Sequence, residues 1–321
     1  RSTLFPYTTL FRSSIGNHFG FLTYAADPIV SKYLNGDYRY YDSDAHKFDG
    51  NIFVKAAYHI SEQWDVFADI QYRHVSYKTD GINDKFITIE TDPESYENQW
   101  LDINEKYNFF NPKAGFSWNL NGHRIYGSIA MSHREPERNN FTDNGSYPAP
   151  KAEQLIDFEV GYTYTANDWH VGANFYYMKY KDQFVQTGAL SDIGENLTTN
   201  IKDSYRAGVE LQAAVNVTPW LTLEGNAALR KNKIKDFDEV VENWDNGSTT
   251  IHYDNSTLAF SPSAILNGFV TLHHKGWRAV WHTNYVSRQY LDNTENQDRS
   301  LPCYSVSNVS LSYTLNPNKV M

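Results

Sequence analysis

Cysteine, long apolar runs and basic charge are all scarce in this sequence of 321 residues. Cys303 is the only cysteine, which excludes an internal disulfide and a cysteine-based metal site. No run of about 18 apolar residues occurs, and this excludes a transmembrane helix. The net charge of −10 argues against a nucleic-acid partner, because such proteins present a clustered basic surface.

Aromatic residues, in contrast, are abundant and make up 16% of the chain. The mean hydropathy is nevertheless −0.61, which is polar for a protein so rich in Tyr, Phe and Trp. The two values are compatible in a membrane-spanning β-barrel, whose strands expose only every second side chain to lipid.

Short turns and long polar connections alternate regularly along the chain. The short turns lie at Ser61–Gln63, Asn119–Gly122, Ala166–Asn167, Thr218–Pro219 and Lys275–Gly276. The long connections lie at about 78–106, 134–153, 184–203, 232–261 and 287–302. Hairpins with short turns at one end and long loops at the other are typical of outer-membrane barrels.

The segments between the turns alternate apolar and polar residues with the period of a β-strand. In Tyr205–Val217, for example, Val209 and Leu211 share one face, and Arg206 and Glu210 share the other. Soluble sandwiches alternate in the same way, so strand length and aromatic position decide between the two. The predicted strands exceed the usual 5–6 residues. One Trp directly follows each of four short turns, which marks a common membrane boundary.

These patterns predict an all-β fold: an antiparallel, meandering transmembrane β-barrel, present in part, with about eleven strands. The strands are predicted at about 50–60, 64–77, 107–119, 123–134, 153–165, 168–183, 203–217, 220–231, 262–274, 276–287 and 304–315. An odd count does not close a single-chain bacterial barrel, so we expect a fragment that is truncated at both ends.

Three regions follow from this prediction. Residues 1–13 resemble translated sequencing-adaptor sequence and are expected to be non-native. Residues 14–49 are expected to form a surface loop or linker, and residues 50–321 the partial barrel.

Several segments in sequence order resemble one known family. They are Asn111–Phe116, Tyr126–Ala130, Arg134–Asp143, Lys151–Leu155, Phe158–Tyr162, Phe175–Gln183 and Arg206–Leu211. Their succession resembles the barrel half of TonB-dependent outer-membrane receptors, particularly those of Bacteroidetes-like bacteria. The resemblance implies a barrel of about 22 strands with a plugged lumen in the bacterial outer membrane.

The resemblance also implies a function and a set of partners. The intact protein would bind a scarce nutrient (a siderophore, haem, cobalamin or similar) and import it with energy from the TonB complex. A plug domain, which this sequence lacks, would connect the barrel to that complex, and the barrel would contact the lipid bilayer. No cofactor, catalytic residue or metal site is predicted.

Six residues are predicted to contact the ligand or the plug. Arg134, Glu135 and Arg138 lie where a strand enters a long loop, although an ordinary ion-pair network that holds the loop is the favoured interpretation. Trp100, Tyr147 and Trp244 lie in predicted loops and are able to stack on a ligand or to pack within the loops. The acidic run Asp236–Asp245 lacks calcium-loop spacing and is interpreted as solvated charge.

Two alternative functions remain open from the sequence. The first is a passive porin or surface-adhesin barrel without a plug. The second and weaker one is an outer-membrane barrel enzyme, since no nucleophile, histidine and acid fall on one strand level. The identity of the ligand does not follow from the fold, because specificity resides in the loops.

Overall fold

The computed structural model describes residues 42–89, 92–142, 148–190, 196–243 and 247–315. The strands are β1 (Asp42–His59), β2 (Trp64–Ile89), β3 (Asp92–Leu120), β4 (His123–Arg134), β5 (Glu153–Thr165), β6 (Trp169–Leu190), β7 (Asn196–Thr218), β8 (Leu221–Asn243), β9 (Gly247–Thr257), β10 (Ala264–His274), β11 (Trp277–Val286), β12 (Gln289–Tyr290), β13 (Ser300–Leu301) and β14 (Tyr304–Tyr313). A short helix, α1, spans Arg138–Thr142, and a 3₁₀ turn spans Gln297–Arg299. Within the described ranges, no helix has the length and apolarity needed to cross a bilayer.

The strands form one sheet in sequence order, β1 to β8 followed by β10, β11 and β14. β9 pairs with the outer part of β8, and β12 and β13 form a separate two-stranded ribbon. From β3 onward, each strand of this path pairs antiparallel with its neighbours. The predicted antiparallel meander is therefore confirmed, and each of the eleven predicted strands corresponds to one strand of this path.

The chain divides into two compact units. The first comprises residues 1–51 and 73–108, and the second comprises residues 52–72 and 109–321. In the first unit, Arg73 forms a bidentate ion pair with Asp49, with distances of 2.9 and 2.6 Å. His74 lies 2.7 Å from the Asn108 side-chain oxygen. The sites described below lie in the second unit, except where stated.

The predicted short turns are confirmed, and two of them use residues with positive φ. Asn121 and Gly122 have φ of 50° and 83°, and Lys275 and Gly276 have φ of 46° and 88°. Positive φ at both central residues matches the right-handed twist of the flanking strands. A Cβ on Gly122 would lie 2.3 Å from the Thr165 carbonyl oxygen, so this position also requires the absence of a side chain.

One face of the sheet exposes its apolar side chains. Val160 is 55% exposed and Phe175 is 59% exposed, although both lie in the middle of long strands. The same exposed face carries Phe158, Tyr162, Tyr177, Leu211, Val215, Leu223, Leu229, Leu266, Trp281, Val309 and Leu311. The tryptophans that follow four short turns, Trp64, Trp169, Trp220 and Trp277, are 42–53% exposed. An apolar surface of this extent marks an interaction surface, and its aromatic border is the one expected at a lipid interface.

The long connections differ from the prediction, because most of their residues form strands. Residues 184–203 continue β6 and β7, whose pairing extends from Gln183↔Ile201 to Leu190↔Asn196. Residues 232–261 include the outer half of β8 and all of β9. Residues 78–106 likewise continue β2 and begin β3. Residues 42–49, which were expected in a loop or linker, form the start of β1, and the domain division otherwise remains a prediction.

A small hydrophobic core explains why these extensions remain paired. Val185, Ile201, Ile234 and Phe237 bury their side chains together. Tyr253 and Leu258 pack against them from the β9 side. Burial of this apolar surface stabilises the strand extensions, although the polar composition of these segments predicted loops.

Candidate functional site

The face opposite the apolar one carries the charged and polar side chains. Cross-strand pairing aligns Ser128, Glu159 and Tyr176 in one row that continues to Gly208 and Arg230. Side chains in one row lie on the same face, because strands alternate with period two. Charged side chains of this inner face include Lys113, Arg124, Asp157, Glu159, Arg206, Glu210, Glu224 and Arg230.

Carboxylates and small residues define the centre of the inner face. The Tyr126 hydroxyl donates to Asn174 Oδ1 at 3.2 Å. A Cβ on Gly161 would lie 2.0 Å from the Tyr126 ring, so the glycine allows the ring to lie flat on the sheet. Glu210 borders a recess of about 350 Å³ beside Tyr126 and Asn174. This surface is polar and anionic at Asp157, Glu159 and Glu210.

A row of amides continues the inner face towards β11. Asn267 Nδ2 donates to Asn226 Oδ1 at 2.9 Å, and Asn284 Nδ2 donates to Asn267 Oδ1 at the same distance. His282 Nε2 lies 3.1 Å from Asn267 Oδ1, and its ring stacks on Phe269 at 4.2 Å. The row presents neutral hydrogen-bonding groups beside the charged centre.

Arg134 lies at the end of β4 and is held in an ion pair. Its Nη2 is 3.0 Å from Glu153 Oε2, the same oxygen that accepts from the Phe184 backbone N–H at 3.1 Å. The guanidinium also lies 5.7 Å from the centre of the Phe184 ring. These contacts favour the ion-pair interpretation of Arg134, because its guanidinium is already paired with Glu153 at the base of the loop.

Glu135 and Arg138 follow Arg134 at the start of the same connection. Arg138 begins α1, and its carbonyl accepts from the Thr142 hydroxyl at 3.3 Å. α1 is attached to β7 through Asn140 Nδ2, which donates to Thr198 Oγ1 at 2.8 Å. The structure therefore places Arg134, Glu135 and Arg138 along one short ordered segment.

The three predicted aromatic contacts fall in different places. Trp100 lies in β3, in the first unit, and is 61% exposed. Tyr147 and Trp244 lie outside the described residues. A ligand-contact role for these three side chains remains a prediction.

Two asparagines that the sequence analysis did not single out anchor the connections. Asn200 Oδ1 accepts from the Lys151 N–H at 2.8 Å, and its Nδ2 donates to the Asp182 carbonyl at 2.7 Å. Asn293 is 2% exposed, donates to the Gln186 carbonyl at 2.8 Å and accepts from the Ala259 N–H at 2.8 Å. Neither position carries a sequence signal, because the partners are backbone groups far away in the chain.

Charged pairs attach residues 287–301 to β8 and β9. Arg299 Nη1 donates to Glu239 Oε1 at 2.9 Å and to Asp292 Oδ2 at 3.1 Å. Those two carboxylates, Asp292 first, raise the pKa of Arg299. The Tyr253 hydroxyl also donates to Glu239, at 3.0 Å, and burial followed by this carboxylate raises the pKa of Tyr253.

Glu295 completes this set of attachments. Its carboxylate accepts from the Lys233 ammonium and from the Thr257 hydroxyl. Burial raises its pKa, but the hydrogen bonds from Lys233 and Thr257 outweigh burial, so the pKa of Glu295 lies below its ordinary 4.5. The folded chain therefore favours the charged form of this group.

A family model described as "TonB dependent receptor-like, beta-barrel" matches residues 2–320. No curated protein matches the sequence.

Solved structures with similar folds include several import receptors. The ferric-catecholate import receptor Fiu from E. coli K12 superposes with a TM-score of 0.61 at 16% identity, over 86% of this chain and 39% of that one. The copper transporter OprC gives 0.66 at 14% identity, over 85% of this chain and 41% of that one. The siderophore receptor PiuA from Acinetobacter baumannii gives 0.64 at 15% identity, over 86% and 38%. The chain thus spans about two fifths of the length of these structures.

Proposed function

Because the chain belongs to the family of TonB-dependent receptor-like β-barrels, we propose that it forms part of the wall and surface loops of an outer-membrane nutrient receptor. The observation that carries this proposal is the two-sided sheet, whose apolar face is exposed and whose opposite face is charged. A barrel in lipid requires this distribution, because its outer band contacts acyl chains and its lumen contacts water or a plug.

The nutrient is proposed to be a scarce small ligand such as a siderophore complex, haem or cobalamin. The named similar structures include a ferric-catecholate import receptor, a siderophore receptor and a copper transporter, and this supports a metal or metal-chelate ligand. At this low sequence identity, the similarity establishes the fold alone. Which ligand is bound must therefore come from binding measurements.

A plug domain is the proposed partner of the inner face. Glu159 and Glu210 lie on that face two strands apart, with Asp157 beside Glu159. Carboxylates that become enclosed require cationic partners, because desolvation of an unpaired charge is costly. Lys113, Arg206 and Arg230 on the same face supply part of this charge, so we expect the plug to meet a surface of mixed charge and to add hydrogen bonds and charged partners there, with the TonB complex acting through that plug.

Ligand contact is proposed for the exposed ends of the long hairpins. Glu135, Arg138 and Trp100 are the described candidates, and Tyr147 and Trp244 join them from the sequence. Arg134 is proposed to act through Glu153 by fixing the base of its loop, since its guanidinium is already paired.

Energy-dependent uptake tests the proposal against the passive-porin alternative. Cells that carry or lack the gene are given a labelled ferric siderophore, haem or cobalamin, with the TonB system intact or deleted. We expect uptake of one ligand that requires both the gene and TonB. Uptake that requires the gene but persists without TonB would support a passive porin and contradict the receptor. The family consists of transporters and receptors, which supports uptake over catalysis.

A further inference from the structure

Four ionisable side chains lie together on one exposed face of the β8–β9 hairpin. Asp238 pairs across the strands with His252. The flanking pairs Lys235↔Asn255 and Phe237↔Tyr253 place Asp236 opposite Asp254. From the sequence alone, the acidic run of β8 is interpreted as solvated charge, and no local signal connects His252 on β9 with it.

Three of these side chains direct ligand atoms at one point. One donor atom each from Asp236, His252 and Asp254 lies within 4.8 Å of the other two. Asp236 has φ of 51°, so the backbone of β8 departs from regular strand geometry at the residue that belongs to this group. Ligand atoms of one ion at bond lengths of about 2.0–2.2 Å lie at most about 4.4 Å apart, so small side-chain rotations would bring all three atoms onto one ion.

The fourth side chain, Asp238, fixes the orientation of the imidazole. Its Oδ1 lies 2.7 Å from His252 Nδ1, so Nδ1 carries the proton that is donated. In the neutral ring the lone pair is then on Nε2, which lies 3.3 Å from Asp254 Oδ1. Asp238, and after it Asp254, raise the pKa of His252, so without metal the protonated ring pairs with both carboxylates, and a bound ion would replace the proton on Nε2. Carboxylate–histidine pairs orient the ligands of many metal sites in this way.

The charge of the group also favours a cation. Asp236 and Asp254 are like charges on opposite strands, an arrangement that destabilises a strand pair. The nearby ammonium of Lys235 is directed to Asp203, at 3.7 Å. Two carboxylates and an imidazole together match a divalent ion of borderline softness, whereas Ca²⁺ and Mg²⁺ prefer oxygen ligands alone.

We propose that Asp236, His252 Nε2 and Asp254 bind one divalent transition-metal ion of the Zn²⁺, Ni²⁺ or Cu²⁺ class. Asp238 positions the imidazole, and solvent or an incoming ligand completes the coordination. The site lies at the long-loop end of the sheet and is separate from the inner face. It does not rest on the proposed uptake function, because it requires only the paired hairpin.

The test is calorimetric titration of the full chain in detergent with Zn²⁺, Ni²⁺ and Ca²⁺, each supplied as the metal alone. We expect one Zn²⁺ or Ni²⁺ per chain and no comparable binding of Ca²⁺. His252→Ala and Asp254→Asn should abolish this binding. Asp238→Asn should weaken it about 10–100-fold, as expected for a residue that orients a ligand. His273→Ala is the matched control, because His273 is an exposed histidine at the opposite end of the sheet.

Chemical labelling gives a second readout that does not depend on variants. Diethylpyrocarbonate modification is mapped by mass spectrometry at His252 and His273, with and without Zn²⁺. Protection of His252 alone supports the site. Equal protection of both histidines, Zn²⁺ binding that survives His252→Ala, or Ca²⁺ binding of equal strength would each overturn the proposal.

Discussion

The exposure of apolar side chains differs along the strands. It is high in the parts that reach the short turns (the inner ends) and low in the extensions of β6–β9 (the outer ends). In the middle of β5, Val160 is 55% exposed on the sheet surface. In the outer extensions of β6–β9, Phe237 is 1% exposed and lies in a small core with Ile234. Both regions are paired strands, so backbone structure does not distinguish them. The difference matches the proposed membrane position, with lipid around the first region and water around the second, because only water drives apolar side chains together.

Phe237→Ala should have the largest effect. Deletion of a buried phenylalanine side chain costs about 3–5 kcal/mol. We expect the loss in the outer extensions of β8 and β9, where Phe237 packs, and little change in the inner ends. Hydrogen exchange of the backbone amides measures both regions in one sample. Ile251→Ala, at a residue that is 42% exposed, is the control. Equal loss of protection along the whole of β8 would contradict the separation of the two regions.

Val160→Arg should have the next largest effect, in the opposite region. An arginine on the lipid face near the bilayer midplane costs about 2–4 kcal/mol. Gln212→Arg, on the polar inner face, should cost much less because its side chain does not contact lipid. The free energies of unfolding in lipid vesicles, measured by urea titration, compare the two variants. Similar losses would show that Val160 does not contact lipid.

Asn293→Ala should have an intermediate effect that is restricted to the segment 287–301. The change leaves the Gln186 carbonyl and the Ala259 N–H without their side-chain partner. An unsatisfied buried polar group costs about 1–3 kcal/mol. We expect faster limited proteolysis within 287–301, and the exposed Gln297→Ala should not change the rate. An unchanged rate in Asn293→Ala would show that this contact does not hold the segment.

A pH effect of smaller size should appear at Glu295. Its folded pKa is lowered, so its stabilising contribution is present above its ordinary pKa of 4.5 and is lost as the pH falls through the lower folded value. Proteolysis of 287–301 should therefore accelerate as the pH falls below 4.5. In Glu295→Gln, this part of the pH dependence should disappear. A variant with the same acid sensitivity as the original chain would assign the effect to another group.

The alternation of residues was enough to predict the inner ends of the strands. The faces of Tyr205–Val217 and the turns at Asn121 and Lys275 depend on residues adjacent in sequence, and the structure confirms them. The outer extensions were predicted as loops, because residues such as Asp236 and Asp238 are polar and interrupt the apolar pattern. Their pairing depends on burial of Phe237 against residues of other strands, and no local window contains that information.

The candidate sites show the same limit. The position of Arg134 at a strand end could be read from the sequence, but its ion pair with Glu153 depends on the register between β4 and β5. Asp236 lies on β8 and His252 on β9, and only strand pairing brings their ligand atoms together. Asn293 contacts Gln186, which lies 107 positions away in the sequence.

The sequence by itself determined the class of fold, the positions of the short turns and the two faces of each strand, because these follow from local periodicity. The tertiary structure decided how far the strands extend, which polar groups meet and which apolar side chains are buried. These features depend on contacts between distant residues, whose free energy is gained only when the strands are already paired.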